Sequence, residues 1–232
     1  MRIHYLQHVP FEDLANMESW ASSRGHAVSK TRLFSGEGLP SPSSFDWLII
    51  MGGPMNIYQE QSFAWLAEEK EFIKKAISGG KIVLGVCLGA QLISSVLGGV
   101  VTENRYKEIG WFPVRLTEEG RASPLFSALP DRFIALHWHG DTFSIPPGAS
   151  RMAESDACSN QAFVLGKAIG LQFHLESNQE SIKRLIDHCA EEMIPGPYVQ
   201  MPEDLAAVPE SYDGLRGLME SFLDRIEREM GP

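Results

Sequence analysis

Residues 81–97 read KIVLGVCLGAQLISSVL, two apolar runs joined by a cysteine that has a glycine two positions away on either side. The run at 82–84 predicts a short buried strand, and the run at 92–97 is compatible with a helix. A nucleophile with small neighbours between a strand and a helix is typical of a sharp turn at the carboxyl edge of a sheet. The stretch therefore predicts an α/β fold that presents Cys87 at such an edge.

The residues around Cys87 favour a reactive thiol. Gly85 and Gly89 leave room that a side chain would fill in a tight turn. A helix beginning at Leu88 would aim free N–H groups and the positive end of its dipole at the sulfur, which favours the thiolate. A lone cysteine in an apolar stretch is more often an inert core residue. The flanking glycines indicate a nucleophile instead.

Strands and helices alternate through the first half of the chain. We predict strands at 3–6, 27–33 and 45–51 and helices at 11–24 and 62–78. Such alternation indicates a mostly parallel central sheet with helices on both faces. From 100 to 176 short strands and turns replace the helices, which predicts a small antiparallel insertion. A helix at 180–193 completes a predicted α/β domain at 1–194.

The remaining residues, 195–232, form a predicted C-terminal extension. Its first part is rich in proline, and residues 212–230 carry apolar side chains at helical spacing. An apolar stripe of this kind is rarely left in water. We expect this amphipathic helix to pack on the parent domain, or else on a partner or a second copy of the chain.

A candidate base for Cys87 lies at 170–176, which reads GLQFHLE and predicts a short buried strand. Because alternate residues of an extended chain point to the same side, His174 and Glu176 share a face. Glu176 can then accept a hydrogen bond from one imidazole nitrogen while the other nitrogen serves Cys87. A histidine alone at a strand end is more often structural, so this interpretation depends on Cys87.

A third segment supplies candidate backbone donors. The apolar run at 45–51 leads into Gly52, Gly53 and a proline, and glycines at a strand end let N–H groups approach a ligand closely. We predict that the N–H groups of Gly53 and Leu88 form an oxyanion hole. Without the other two motifs, the glycine pair would be an ordinary turn.

Taken in this order, the Gly-Gly-Pro loop, the glycine-flanked cysteine and the Gln-Phe-His-x-Glu strand resemble the class I, or triad, glutamine amidotransferases, and most of all the glutaminase part of GMP synthase. The resemblance implies a flavodoxin-like fold and an enzyme in which Cys87, His174 and Glu176 act together. In this family the cysteine attacks the side-chain amide of glutamine, ammonia leaves, and water releases glutamate from a γ-glutamyl thioester. One departure is Leu175, where many members have proline.

The same resemblance implies residues that contact the substrate amino acid: Gln91, Gly52, His139 and Gly140. It also accounts for the Lys107–Glu108 stretch, which could otherwise be a solvated pair on a loop. His137, His139 and Asp141 could alternatively present ligands to a metal ion. The resemblance explains these residues without a metal, so we predict no metal and no cofactor.

Composition narrows the partners. The chain of 232 residues has a formal net charge of −10 and no Lys/Arg cluster, which argues against nucleic acid and an anionic membrane surface. Its three cysteines are scattered and fit neither a disulfide framework nor a zinc pattern, which indicates a reducing, cytoplasmic setting. No apolar stretch is long enough to span a bilayer, and no signal peptide is apparent.

Three functions remain open from the sequence. The first is hydrolysis of glutamine, with ammonia supplied to a separate synthetase subunit, because the chain has no phosphate-binding loop with a following lysine. The second is hydrolysis of a γ-glutamyl peptide, in which a larger amine leaves. The third belongs to another class, a non-catalytic binding or regulatory protein on the same scaffold. We also leave a homodimer open.

Overall fold

The computed structural model describes residues 1–206 and 209–231. Residues 207 and 208, within the predicted C-terminal extension, and residue 232 lie outside the described residues. The strands are β1 (Arg2–Gln7), β2 (Ala27–Arg32), β3 (Trp47–Ile50), β4 (Ile82–Val86), β5 (Val101–Leu116), β6 (Arg132–Phe143), β7 (Ser150–Glu154), β8 (Ala162–Leu165) and β9 (Ala168–Leu171). The α-helices are α1 (Asn16–Ser23), α2 (Trp65–Ser78), α3 (Leu88–Val96), α4 (Glu118–Ala122), α5 (Gln179–Cys189), α6 (Pro202–Ala206) and α7 (Pro209–Met230).

All nine strands form one sheet in the order β2-β1-β3-β4-β9-β8-β7-β5-β6. Strands β2, β1, β3, β4 and β9 run parallel, as the alternation of strands and helices predicts. The α/β class with helices on both faces is confirmed. The antiparallel part is larger than predicted, because β8, β7, β5 and β6 continue the same sheet from β9. Sequence alone could not show that β9 offers its free edge to β8.

Side chains from both faces of the sheet are buried. In β3, Ile49 belongs to one apolar cluster and its neighbours Leu48 and Ile50 to the other, since successive residues of a strand point in opposite directions. Helices α1, α5 and α7 cover the first face, and α2 and α3 cover the second. A strand that is apolar at every position is thereby fully covered, and the carboxyl ends of the parallel strands meet at one edge.

Helix α1 begins later than the periodicity of the sequence predicts. Residues 11–15 form a turn instead, in which the Asp13 carboxylate accepts the Ala15 N–H at 3.1 Å and Ala15 adopts a positive φ of 44°. A short aspartate side chain competes with the helix for backbone N–H groups in this way. The loop after β1 therefore stays at the carboxyl edge of the sheet, which places Glu12 there.

The C-terminal helix α7 packs against the body of the same chain. Its apolar residues Leu215, Phe222 and Ile226 are buried in the first cluster. Asp224 accepts a hydrogen bond from the Trp20 indole at 2.7 Å and pairs with Arg24, so the polar side of the contact is also satisfied. The apolar stripe of α7 is thus covered within one chain.

Candidate active site

Cys87 occupies a strained turn between β4 and α3. Its backbone has φ 51° and ψ −107°, a conformation that non-glycine residues seldom adopt. The flanking glycines explain how this turn closes. A Cβ at Gly89 would collide with the Ile50 carbonyl, and one at Gly85 would collide with the backbone of Gly89. The turn therefore depends on both glycines, as the sequence predicts.

The surroundings of the Cys87 thiol change its pKa in opposite directions. Burial raises the pKa of the thiol, because the side chain is only 8% exposed and the thiolate would lose hydration. The neighbouring His174 imidazole and the Leu88 N–H at the start of α3 act to lower the same pKa. The helix end therefore contributes as predicted from the sequence, but burial outweighs it in the free protein.

His174 and Glu176 lie on the segment that follows β9. His174 Nδ1 and Glu176 Oε1 are 2.6 Å apart, and both side chains are almost fully buried. Two backbone hydrogen bonds with Leu136 of β6 fix the position of His174. Burial disfavours the imidazolium, yet the Glu176 carboxylate and Cys87 raise the pKa of His174 well above its usual value. Among the described residues, His174 Nε2 has no hydrogen-bond partner.

Cys87 and His174 open into the same cavity, which has a volume of about 410 Å³. Most of the other predicted site residues also line it: Gly53, Leu88, Gln91, His139 and Gly140. The N–H groups of Gly53 and Leu88 donate to no backbone acceptor within residues 1–206 and 209–231, and the Leu88 N–H faces the Cys87 thiol. Gly52 lies just behind the wall, where its carbonyl accepts from His8 Nδ1 at 3.0 Å. The structure thus brings the three predicted motifs to one place.

Gln172 is a contact of Cys87 that the sequence did not reveal. Its side-chain amide donates to Cys87 Sγ at 3.6 Å and accepts from Gln91 Nε2 at 3.2 Å. The available signal was its position two residues before His174, since residues i and i+2 of an extended segment share a face. Gln91 is therefore tied to the nucleophile through Gln172 as well as lining the cavity.

A buried polar cluster supports the wall that carries His139. Glu108 Oε2 lies 3.2 Å from His139 Nε2 and 3.4 Å from His137 Nδ1, and it accepts a hydrogen bond from Gln161 at 2.7 Å. Although burial acts to raise it, these histidines hold the pKa of Glu108 well below its usual value. Glu108 is 0% exposed, which rules out a solvated pair of Lys107 and Glu108.

The same cluster has the donor atoms of a metal site. Glu108, His137 and His139 offer three ligand atoms within 4.8 Å of one another. Asp141, which the sequence suggested as the third ligand, instead accepts a hydrogen bond from the side-chain amide of Asn56. Both ring nitrogens of His139 are engaged, Nδ1 with the Asp141 carbonyl at 3.0 Å and Nε2 with Glu108. The carboxylate thus already has hydrogen-bond partners.

Glu12 is an ionisable group at the cavity that sequence reasoning missed. Its carboxylate lies against Gly52 and lines the same space as Cys87 and His174. Burial raises the pKa of Glu12 to about 7. The predicted helix over 11–24 concealed this residue, because a helix there would not mark Glu12 as part of a strand-end loop.

Comparison with known proteins agrees with this geometry. The family described as glutamine amidotransferase class-I matches residues 28–192. The glutamine amidotransferase-like protein YfeJ of Salmonella typhimurium is 34% identical over 198 residues, which cover 83% of each chain. The GMP synthase of Thermomicrobium roseum is 34% identical over 133 residues, 56% of this chain but only 23% of that enzyme. The chain therefore matches about a quarter of the synthase.

Solved structures share the whole fold. A glutamine amidotransferase from Thermotoga maritima has 33% identity and a TM-score of 0.88, with 97% of each chain covered. A glutamine amido transferase from Methylobacillus flagellatus has 26% identity and a TM-score of 0.92, covering 99% of this chain and 95% of that one. Within the described residues, no helix has the length and apolar character needed to cross a membrane.

Proposed function

The chain belongs to the class I glutamine amidotransferase family, and we propose that it hydrolyses the side-chain amide of glutamine to glutamate and ammonia through a γ-glutamyl thioester on Cys87. One observation carries this proposal. The pair of His174 and Glu176, with 2.6 Å between Nδ1 and Oε1, opens into the same cavity as Cys87 on its strained turn. This is the relation of orienter, base and nucleophile that acyl transfer requires.

In the proposed acylation, His174 in its neutral form takes the thiol proton at Nε2 as Cys87 Sγ attacks the amide carbon. Glu176 stabilises the imidazolium that forms. His174 then gives that proton to the amide nitrogen, the C–N bond breaks, and ammonia leaves behind a thioester. Water, deprotonated by His174, attacks the thioester, and the thiol is restored with release of glutamate.

The oxyanion of each tetrahedral intermediate would lie between the N–H groups of Gly53 and Leu88. Both residues border the cavity, and neither N–H group has a backbone acceptor within the described ranges, so a substrate oxygen can reach them. A donor of this kind typically lowers the barrier by roughly 3 kcal/mol. Because Leu88 N–H also opens α3, the helix dipole adds to the stabilisation of negative charge.

The remaining predicted contacts would hold the amino-acid part of the substrate. Gln91 presents its amide at the cavity wall, and His139 with Gly140 forms another wall. Since both ring nitrogens of His139 are already engaged, we propose that its segment shapes the cavity, with Gly140 leaving the backbone open to a ligand. Gly52 would act through its position beside Gly53.

The destination of the ammonia is a separate question. We propose transfer to a synthetase subunit, which the likeness to the glutamine-hydrolysing GMP synthases supports. A second candidate is hydrolysis of γ-glutamyl peptides. It is favoured by the cavity of about 410 Å³, which falls in the range of roughly 300–1,000 Å³ that accepts drug-sized ligands.

Product analysis separates these functions. The protein is incubated with L-glutamine and with γ-glutamyl dipeptides, and glutamate release is measured beside the Cys87→Ala variant. Glutamate from glutamine, absent in the variant, supports the first proposal, and glutamate from the peptides alone supports the second. If neither substrate releases glutamate, the enzyme assignment fails and a binding role remains. Activity unchanged by Cys87→Ala would contradict the mechanism.

A further inference from the structure

Glu12 is an ionisable side chain of the cavity that the proposed reaction does not use. It lies in the loop between β1 and α1, and its Oε2 occupies the space into which a Cβ on Gly52 would project. Within residues 1–206 and 209–231, this carboxylate makes no hydrogen bond, although the imidazoles of His174 and His8 lie near enough to lower its pKa. Burial still disfavours the charged form of Glu12, and a cationic group bound beside the carboxylate would offset that cost.

The position of Glu12 relative to His174 identifies which part of a substrate it would meet. A Cβ built on Gly52 would lie 3.5 Å from His174 Cε1 and would collide with Glu12 Oε2, so the imidazole and the carboxylate lie close to each other. In the proposed acylation, His174 hands its proton to the departing nitrogen. The departing amine therefore leaves on the side of the cavity where His174 and Glu12 meet, whereas the carbonyl oxygen turns to the N–H groups of Gly53 and Leu88.

The cavity continues beyond Glu12 along the end of α5. Leu185 and Cys189 supply apolar wall there, and Glu192 follows on the next turn. Glu12 and Glu192 both lie near enough to Cys189 to help burial raise the pKa of its thiol to about 12. Glu192 is partly neutralised by Lys107 Nζ at 3.5 Å. Among the described residues, Glu12 forms no ion pair with a lysine or arginine and lies beside His174, so it is placed to receive a positive charge on the amine side.

We infer that Glu12 is a specificity-determining residue that binds a cationic group on the amine side of the scissile amide. The preferred substrates would be γ-glutamyl amides of short alkylamines that carry a second, protonated amino group. The apolar wall of Leu185 and Cys189 suits the alkyl chain, and Glu12 suits its ammonium end. This inference rests on the proposed Cys87 chemistry and deepens it by naming the class of leaving group.

The electrostatics of the loop support the assignment. Burial raises the pKa of Glu12 to about 7, while His174 and His8 act to lower it and Glu176 and Glu192 act to raise it. A bound ammonium would replace the hydration that the carboxylate has lost and would favour its charged form. The binding of a cation and the ionisation of Glu12 are thus coupled.

Two synthetic substrates isolate the effect of a positive charge on the leaving amine. γ-Glutamyl-propylamide and γ-glutamyl-(2-aminoethyl)amide have leaving groups of the same size that differ in one ammonium. Steady-state kcat and KM are measured for both, and for L-glutamine, with the wild-type protein, Glu12→Gln and the control Glu103→Gln. Glu103 is an exposed carboxylate on a different wall of the same cavity, so the control removes an equal charge. Melting temperatures verify that each variant is folded.

We expect wild-type protein to favour the cationic amide in kcat/KM by roughly 10- to 100-fold, the range of one charge-assisted hydrogen bond. Glu12→Gln should erase that preference, mainly through KM, and leave the propylamide within about threefold, since a neutral leaving group does not engage the carboxylate. Glu103→Gln should retain the preference.

Other outcomes overturn the inference. Equal wild-type rates for the two amides, or cleavage of glutamine alone, would show that no cationic leaving-group site exists. Equal losses in Glu12→Gln for all three substrates would place Glu12 at the α-ammonium of the glutamyl part or at His174. Failure of the proposed function is distinct, because then the wild-type protein would release glutamate from none of the three.

Discussion

Replacing Glu176 by glutamine tests the role of the carboxylate most informatively, because the amide keeps the shape of the side chain and removes its charge. The contact to His174 Nδ1 is short, at 2.6 Å, and both groups are buried. A hydrogen bond to a charged group contributes about 1.5–3 kcal/mol. If the contact acts on the imidazolium of the transition state, kcat should fall by roughly 10- to 150-fold.

The same substitution should change the acid–base behaviour of His174. Glu176 raises the pKa of the imidazole against the effect of burial, so loss of the carboxylate should lower the pKa of His174. The pH dependence of Cys87 alkylation by iodoacetamide reports this ionisation without any substrate. The limb assigned to His174 should move to lower pH in Glu176→Gln.

Two comparisons make the result decisive. Glu180→Gln removes an exposed carboxylate from the start of α5 and should leave both the rate and the pH profile unchanged. Cys87→Ala should abolish glutamate release, because an orienting group is partly dispensable and a nucleophile is not. If single-turnover rates fall equally in Glu176→Gln and Cys87→Ala, or if the alkylation profile does not move, the reasoning about Glu176 is refuted.

Four further outcomes are expected. Gly89→Ala should lower stability by roughly 1–3 kcal/mol, since its methyl group meets backbone, whereas Gly38→Ala, with open space around it, should melt near the wild type. Glu108→Gln should cost about 3 kcal/mol or more at neutral pH. Because the pKa of Glu108 is depressed, that difference should shrink in thermal melts as the pH falls below about 4.3, and a constant difference would count against a charged Glu108. Raising the pH from about 6 to about 8 should ionise Glu12 and increase the preference for the cationic amide, which a flat ratio would contradict. Phe222→Ala should lower the melting temperature through a loss of about 3–5 kcal/mol, and an unchanged value would mean that α7 is not held as described.

The sequence predicted those parts of the site whose signals are local. The glycines around Cys87 mark a tight turn because any Cβ there meets backbone, and that constraint is visible in the order of the residues. His174 and Glu176 were paired by the two-residue period of an extended chain. These rules need no knowledge of distant contacts.

The missed features depend on tertiary structure. Gln172 reaches Cys87, and Glu108 is buried beneath His139, only because separate strands come together in the sheet. The apolar spacing over 11–24 predicts a helix that would include Glu12, whereas an aspartate-stabilised turn delays the start of α1. The extent of the antiparallel half also depends on which edge of the parallel half accepts β8.

The most direct test of a cysteine-based hydrolase is to trap its acyl intermediate. Wild-type protein is mixed with L-glutamine, quenched in acid within the first turnover, and digested for mass spectrometry. We expect one added glutamyl group on the peptide that carries Cys87, sensitive to hydroxylamine and absent from Cys87→Ala. Glutamate formed with no such adduct, or an adduct on Cys189 instead, would contradict it.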